Sequence, residues 1–290
     1  MELDKLPNGH VMDVKNILVR FTTDLIGSTA FGLNVKSLAN PNNDFFKFNV
    51  KIFEITLRRA LELVCLFIIP ALVPLLRVKL IRDKEANFVR KALGEIFEQR
   101  RKSGAIRNDV VDKLIAMQNE AKLDPTDPGN DTDYIMAQAV GFLIAGSETS
   151  SSTTSFALYE LAKNPDIQDR LHAEIMDAFA AEDSEVLSYE KVNEMKYLSQ
   201  LVDETLRLYP IAGFVERQLT IADKLQEFSL LPDMNYAIPK GMPVYVSLLG
   251  LHRDEKVIDI YSRQSRHIIF HSDQILTKLS YLSCSTGKNP

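Results

Sequence analysis

The chain has 290 residues, 46% of them hydrophobic and 25% charged, with a formal net charge of −5 and two cysteines. That length buries a sizeable core as one large domain or two ordinary ones, and the composition excludes wholesale disorder. The negative charge argues against a nucleic-acid partner, and two cysteines are too few for a disulfide scaffold and suit a reducing compartment.

The opening MELDKLPNGHVMD is polar and lacks the apolar core of a signal peptide. Residues 14–31, VKNILVRFTTDLIGSTAF, place Ile17, Leu18, Phe21, Leu25 and Ile26 at helical spacing, with Gly32 as a stop and the loop PNND at 41–44. A second helix is expected over 45–63. It ends in the most apolar stretch, LVCLFIIPALVPLL, between Leu63 and Leu76. That run is interrupted by Pro70 and Pro74 and falls short of the roughly 20 apolar residues a spanning helix needs. A surface that dips into a membrane interface and a buried loop–helix corner both fit it.

Residues 84–102 read as an amphipathic surface helix through Phe88, Leu93, Ile96 and Phe97, and the short Arg100-Arg101-Lys102 run is its solvated end. Residues 109–121 read as another helix, with Asn108 as its cap, followed by the linker-like KLDPTDPGNDTD. The longest patterned element is YIMAQAVGFLIAGSETSSSTTSFALYEL at 134–161. After it, Asn164 caps and Pro165 opens a helix to about 180. Residues 188–195 form a short helical piece, and 197–209 a full helix closed before Pro210. Beyond Gly213 short strands are expected at 214–219, 236–238 and 243–248, with Pro239-Lys240-Gly241 as a turn. The fold class is therefore mainly α, with a small β-rich part near the C-terminal end.

The 134–161 helix breaks local rules in its middle. Gly146 is unfavourable in a helix interior, and the Ser/Thr block from 147 to 155 competes for backbone hydrogen bonds. Such a break in a strongly patterned element points to function. Ala145 and Gly146 are small enough for a flat ligand to lie against the backbone. Thr149, one turn on, can bond its hydroxyl to the Ala145 carbonyl and bend the helix. Glu148 sets a carboxylate one step round, within reach of a proton relay. A core helix with small residues at a tight crossing is the alternative reading of the same residues.

Three pieces then align: AGSETS at 145–150, ETLRLYP at 204–210, where Glu204 and Arg207 share a helix face, and IPKGMPVYVSLLGLHRD at 238–254. In this order and spacing the chain resembles the cytochrome P-450 family of haem-thiolate monooxygenases, most closely its insect microsomal, xenobiotic-metabolising branch. RFTTDLIGSTAFGL at 20–33 and RNDVVDKLIAM at 107–117 look like that branch too, so the resemblance covers roughly 14–254. It implies a mainly α fold holding haem between the central helix and a cysteine loop. Ala145 and Gly146 would lie over the haem face, Thr149 would hold a proton-donating water, and Glu148 would feed protons towards it. Glu204 and Arg207 would form a structural ion pair. Arg217 matches a position where the family sets an arginine against a haem propionate, a surface arginine in a strand being the alternative. His252 is expected as a structural hydrogen bonder rather than an iron ligand.

The implied activity is insertion of one oxygen atom from O₂ into a small lipophilic substrate. The implied electron source is NADPH through NADPH–cytochrome P-450 reductase, at the cytosolic face of the endoplasmic reticulum membrane. Residues 63–76 would belong to the membrane-touching substrate-access region. Two departures accompany the resemblance. The chain starts about where the family's central helices begin, without the membrane anchor. After Lys256 it carries neither the Pro-Glu-Arg-Phe segment nor the Phe-x-x-Gly-x-x-x-Cys-x-Gly loop whose thiolate binds iron. Neither Cys284 nor Cys65 stands in such a loop, so the axial cysteine ligand is expected to be missing. A partial domain at 1–256 followed by an atypical, out-of-frame tail at 257–290 accounts for this. One permitted codon choice for Ser262-Arg263-Gln264-Ser265 reads Pro-Asp-Lys-Val in the next frame. On this reading the chain as written is an inactive fragment with exposed apolar faces and poor solubility. A non-catalytic helical remnant or binding protein is the alternative, and a membrane-surface helical module a third.

Overall fold

The structure, a computed structural model, describes residues 11–40, 42–54, 56–69, 72–79, 81–182, 185–219, 227–230, 232 and 235–254. The expectations placed on Pro41, Pro70, Cys284 and the tail at 257–290 lie outside the described residues. The chain divides into two compact units, Met1–Ser155 and Phe156–Pro290.

In the first unit, α1 (Val14–Phe31) starts where Asp13 accepts a hydrogen bond from the Asn16 amide, and it stops at Gly32, which adopts φ 66°. Gly32 is needed there twice over. Its positive φ favours glycine, and a Cβ would lie 2.8 Å from Arg107 Nε. The expected helix at 45–63 is two helices, α2 (Asp44–Phe53) and α3 (Leu57–Phe67). The chain turns extended at Glu54 and Thr56, and the Thr56 hydroxyl caps α3 by accepting from the Arg59 amide at 3.2 Å. This cap chemistry outcompetes continuation of an apolar-periodic run.

The short α4 (Val73–Leu76) precedes α5 (Asp83–Ser103), which ends at Gly104 with φ 62°. The next helix, α6 (Val110–Ala121), is capped by Asp109 and not by Asn108. Asn108 instead takes φ 57°, a left-handed conformation asparagine tolerates. Arg100 ties α5 to α6 through Asp109 (2.7 Å) and Asp112 (2.5 Å), with its own guanidinium and the Asp109 carboxylate both buried. A 3-10 turn at Pro128–Asn130 sits in the expected linker, and α7 (Thr132–Lys163) follows as one continuous helix that carries residues of both units. Phe31, Leu93, Phe97, Val111, Ile135, Ala139 and Leu143 form the centre of this unit's core. At about 1.5–3 kcal/mol for each large side chain fully buried, this cluster is the main driving force for the unit.

In the second unit, α8 (Pro165–Glu182), the short α9 (Tyr189–Glu194) and α10 (Lys196–Leu208) gather a smaller core around Leu161, Leu171 and Tyr197. No side chain of its own caps α10. Glu174 of α8 does so, accepting from the Tyr197 and Leu198 amides at 2.9 Å each. The strands are β1 (Phe214–Gln218), β2 (Glu227–Ser229), β3 (Ala237–Pro239) and β4 (Pro243–Ser247), and a last turn, α11 (Leu248–Leu251), follows. They pair antiparallel as β1–β4, with Phe214 opposite Ser247, and as β2–β3. Gly241 turns between β3 and β4 at φ 82°. β2 was not anticipated. Its Glu-Phe-Ser is too short to show a period and becomes a strand only through its partner.

Candidate functional site

The Ser/Thr block of α7 has two uses. Ser147 and Ser151 are fully buried, at 0% exposure each, and bond with other helices of the first unit. Thr22 of α1 donates to the Ser147 carbonyl at 2.9 Å. The Ser147 hydroxyl donates to Asn49 Oδ1 at 2.9 Å, and Asn49 Nδ2 donates to Thr23 Oγ1 at 2.8 Å. A buried polar seam thus joins α1, α2 and α7, with each member given a partner, as burial demands. On the remaining positions the hydroxyls of Thr149, Thr153, Thr154 and Ser155 bond back to carbonyls one turn earlier.

The site residues singled out in the sequence separate by face. Gly146 points at α1, where a Cβ would lie 2.7 Å from Ile26 Cδ1, so a tight helix crossing accounts for its size. Glu148 points to the start of α1, where Lys15 Nζ donates to Glu148 Oε1 (2.8 Å), Ser151 Oγ (2.8 Å) and Ser152 Oγ (2.7 Å). Ser152 donates to the same carboxylate oxygen at 3.1 Å. Ala145 and Thr149 share the third face, which is open. Phe142 on it is 50% exposed, and a Cβ added at Gly141 would meet nothing within 4 Å. The Thr149 hydroxyl donates to the Ala145 carbonyl at 2.5 Å, as its spacing predicted. Its proton is thereby committed, and its lone pairs face outward as acceptors.

Sequence reasoning missed Lys15. An isolated lysine at a helix start carries no periodic signal, and its partners lie far along the chain.

In the second unit Arg207 binds Glu204 through two nitrogens, at 2.5 and 2.9 Å, and donates to the His252 carbonyl at 2.9 Å. The expected ion pair is therefore made. For His252 the hydrogen bond runs through its backbone. Its ring Nδ1 is buried without a partner among the described residues, and burial pushes the imidazole below the ordinary histidine pKa. Tyr209 stacks on Phe156 at 4.3 Å and donates to Glu160 at 2.5 Å, which holds that carboxyl below its ordinary pKa. Arg217 is exposed on β1 and donates to the Glu216 carbonyl at 2.8 Å.

The open stripe of Gly141, Phe142, Ala145 and Thr149 fits one face of a flat, apolar macrocycle. Its only polar side chain is a hydroxyl whose proton is already used. Cys65 of α3 is the one cysteine among the described residues. Among the described residues no group of three or more His, Cys, Asp or Glu is placed to hold a metal ion.

A mainly α chain with a small strand part near its C-terminal end matches the make-up of a cytochrome P-450 helical domain. The sequence model of the cytochrome P-450 family matches residues 2–258, and the chain belongs to that family. It is 43% identical over 253 residues to probable cytochrome P-450 6w1 of Drosophila melanogaster, covering 87% of this chain and 49% of that protein. To probable cytochrome P-450 6v1 of the same fly it is 40% identical over 250 residues (86% and 48%). To cytochrome P-450 6A1 of Musca domestica it is 34% identical over 254 residues (88% and 49%). The chain spans about half the length of these curated relatives.

Proposed function

We propose that this chain carries the oxygen-facing half of a haem-dependent monooxygenase that inserts one atom of O₂ into small lipophilic substrates. The observation that carries this reading is the open face of α7, where Ala145 and Thr149 stand bare while Gly146 and Glu148 are held by α1. When bound, haem supplies the iron at which oxygen is activated. Ala145 would lie against the ring, with the Gly146 backbone beside it. Thr149 would accept a hydrogen bond from a water and so orient that water's other proton, and Glu148 would supply the proton that replaces it. Arg217, an exposed cation on a strand, would be the propionate partner. Electrons come from NADPH through NADPH–cytochrome P-450 reductase at the endoplasmic reticulum membrane.

Contact with that membrane runs through 63–76. Val64 and Phe67 of α3, Ile68 just beyond its end, and Leu75 and Leu76 of α4 are exposed. Among the described residues no helix is long and apolar enough to cross a membrane.

A second reading is favoured by one sequence observation. Within residues 1–290 neither Cys65 nor Cys284 stands in a Phe-x-x-Gly-x-x-x-Cys-x-Gly loop. We infer from it the alternative that this chain acts as a non-catalytic helical remnant or binding protein, since neither cysteine offers the iron a thiolate in such a loop. We assign residues 257–290 to an out-of-frame tail. Sequencing the transcript against genomic DNA across codons 251–290 tests that assignment, and an identical frame in both overturns it.

For the first reading, residues 1–254 are grafted in place of the matching segment of the Drosophila melanogaster relative, and Thr149→Ala is introduced. Product formed per O₂ consumed should fall at least about tenfold while O₂ uptake continues, given the 10²–10⁴-fold usually supplied by a positioned proton donor. Unchanged coupling would exclude Thr149 from proton delivery.

A further inference from the structure

The Lys15 ammonium has three N–H donors, and each finds an oxygen on one turn of α7: Glu148 Oε1, Ser151 Oγ and Ser152 Oγ, at 2.7–2.8 Å. The amino group is thus saturated by a cradle that consists of the carboxylate and two hydroxyls of the serine block. Glu148 and Thr149 are adjacent in sequence, so their side chains leave the helix about 100° apart. A glutamate free to choose its rotamer can swing towards Thr149. Here the carboxylate is drawn the other way, to the start of α1, and Ser152 braces it there at 3.1 Å.

We propose that Lys15 is a positioning residue that decides on which side of α7 the Glu148 carboxylate lies. With the ammonium in its cradle, the carboxylate is held off the open face that carries Thr149. Withdrawing the ammonium releases the carboxylate to that face, beside the hydroxyl. The proton donor for Thr149 is then under the control of a residue on another helix, and movement of the first turn of α1 becomes the step that hands Glu148 over. This rests on the proposed pairing of Glu148 with Thr149, but its test requires neither haem nor turnover.

The test places a reporter thiol on the open face: T149C in the 290-residue chain with C65S and C284S, so that it is the sole thiol. Its alkylation rate by iodoacetamide reads the local negative charge, because a carboxylate nearby disfavours the thiolate. K15M should slow alkylation about three- to tenfold, the effect of one unit charge at 5–6 Å in a largely solvated setting. K15R should restore the rate, and adding E148Q to K15M should abolish the slowing. Equal rates with and without Lys15, in variants of matching helical circular dichroism, would overturn the proposal.

If K15M does not fold, E148Q alone decides. With Lys15 present the carboxylate is already turned away, so E148Q should leave the rate unchanged. A threefold or greater acceleration would mean that Glu148 faces Thr149 despite Lys15, and the proposal fails. Should T149A leave coupling intact in the grafted enzyme while the reporter behaves as expected, the proton-delivery reading falls and the control of Glu148 by Lys15 stands.

Discussion

At Gly146 helix propensity and packing against Ile26 pull in opposite directions. Replacing it with alanine gains up to about 1 kcal/mol of helix propensity. The new methyl group meets the far end of a flexible isoleucine, which can yield. G146A should therefore be close to neutral. G146V adds branches that cannot be absorbed and should cost about 1–3 kcal/mol in urea unfolding. Adding I26A to G146V should cost less than the sum of the two single changes, because the residues share one space. Strict additivity would mean that the crossing at Ile26 does not limit the size of residue 146. Asn49 offers the polar counterpart. N49L leaves the Ser147 and Thr23 hydroxyls facing an apolar side chain, and a loss of about 1–3 kcal/mol is expected.

The Tyr209–Glu160 bond gives stability a pH dependence of known sign. The hydrogen bond from Tyr209 keeps the Glu160 carboxyl below its unfolded value, near 4.3 for an ordinary glutamate. Its contribution is present above that value and is lost as pH falls through the lower folded pKa. Y209F should raise the Glu160 pKa, read from its carboxyl carbon in an NMR titration. An unchanged titration would show that the bond does not form in solution. Burial of the His252 imidazole acts in the same direction but higher on the scale. The folded state disfavours its protonated form, so stability is full above about pH 6.5 and declines as pH drops below it.

Among the elements, the helices with strong periodicity and glycine stops were legible: α1 ends at Gly32 and α7 spans the whole patterned run. Two features were not. The break between α2 and α3 follows from a threonine cap inside an apolar-periodic stretch, where periodicity and local hydrogen bonding give opposite answers. At α6 both Asn108 and Asp109 are good cap types, and only backbone geometry selects the second. The site was legible in the same partial way. The Thr149–Ala145 bond follows from spacing alone. That Gly146 answers to Ile26, and Glu148 to Lys15, depends on a helix more than a hundred residues away in the chain. At this scale Glu174 is the clearest test. It caps a helix that has no cap of its own, so E174A should cost about 1 kcal/mol or slightly more. A midpoint unchanged in urea would show that α10 needs no borrowed cap.

For the whole molecule, membership of the cytochrome P-450 family fixes the descent of the chain, and the open face of α7 is where the proposed chemistry resides. The proposed out-of-frame reading of residues 257–290 leaves them without the Phe-x-x-Gly-x-x-x-Cys-x-Gly loop. These two statements meet in one measurement, the carbon monoxide difference spectrum of the reduced, haem-reconstituted protein, in which only thiolate-ligated haem gives the strongly red-shifted band. It is recorded for the 290-residue chain and for residues 1–254 grafted into the Drosophila melanogaster relative. The graft should show the band, and the 290-residue chain should lack it. A thiolate band from the 290-residue chain, or none from a folded graft, would contradict it.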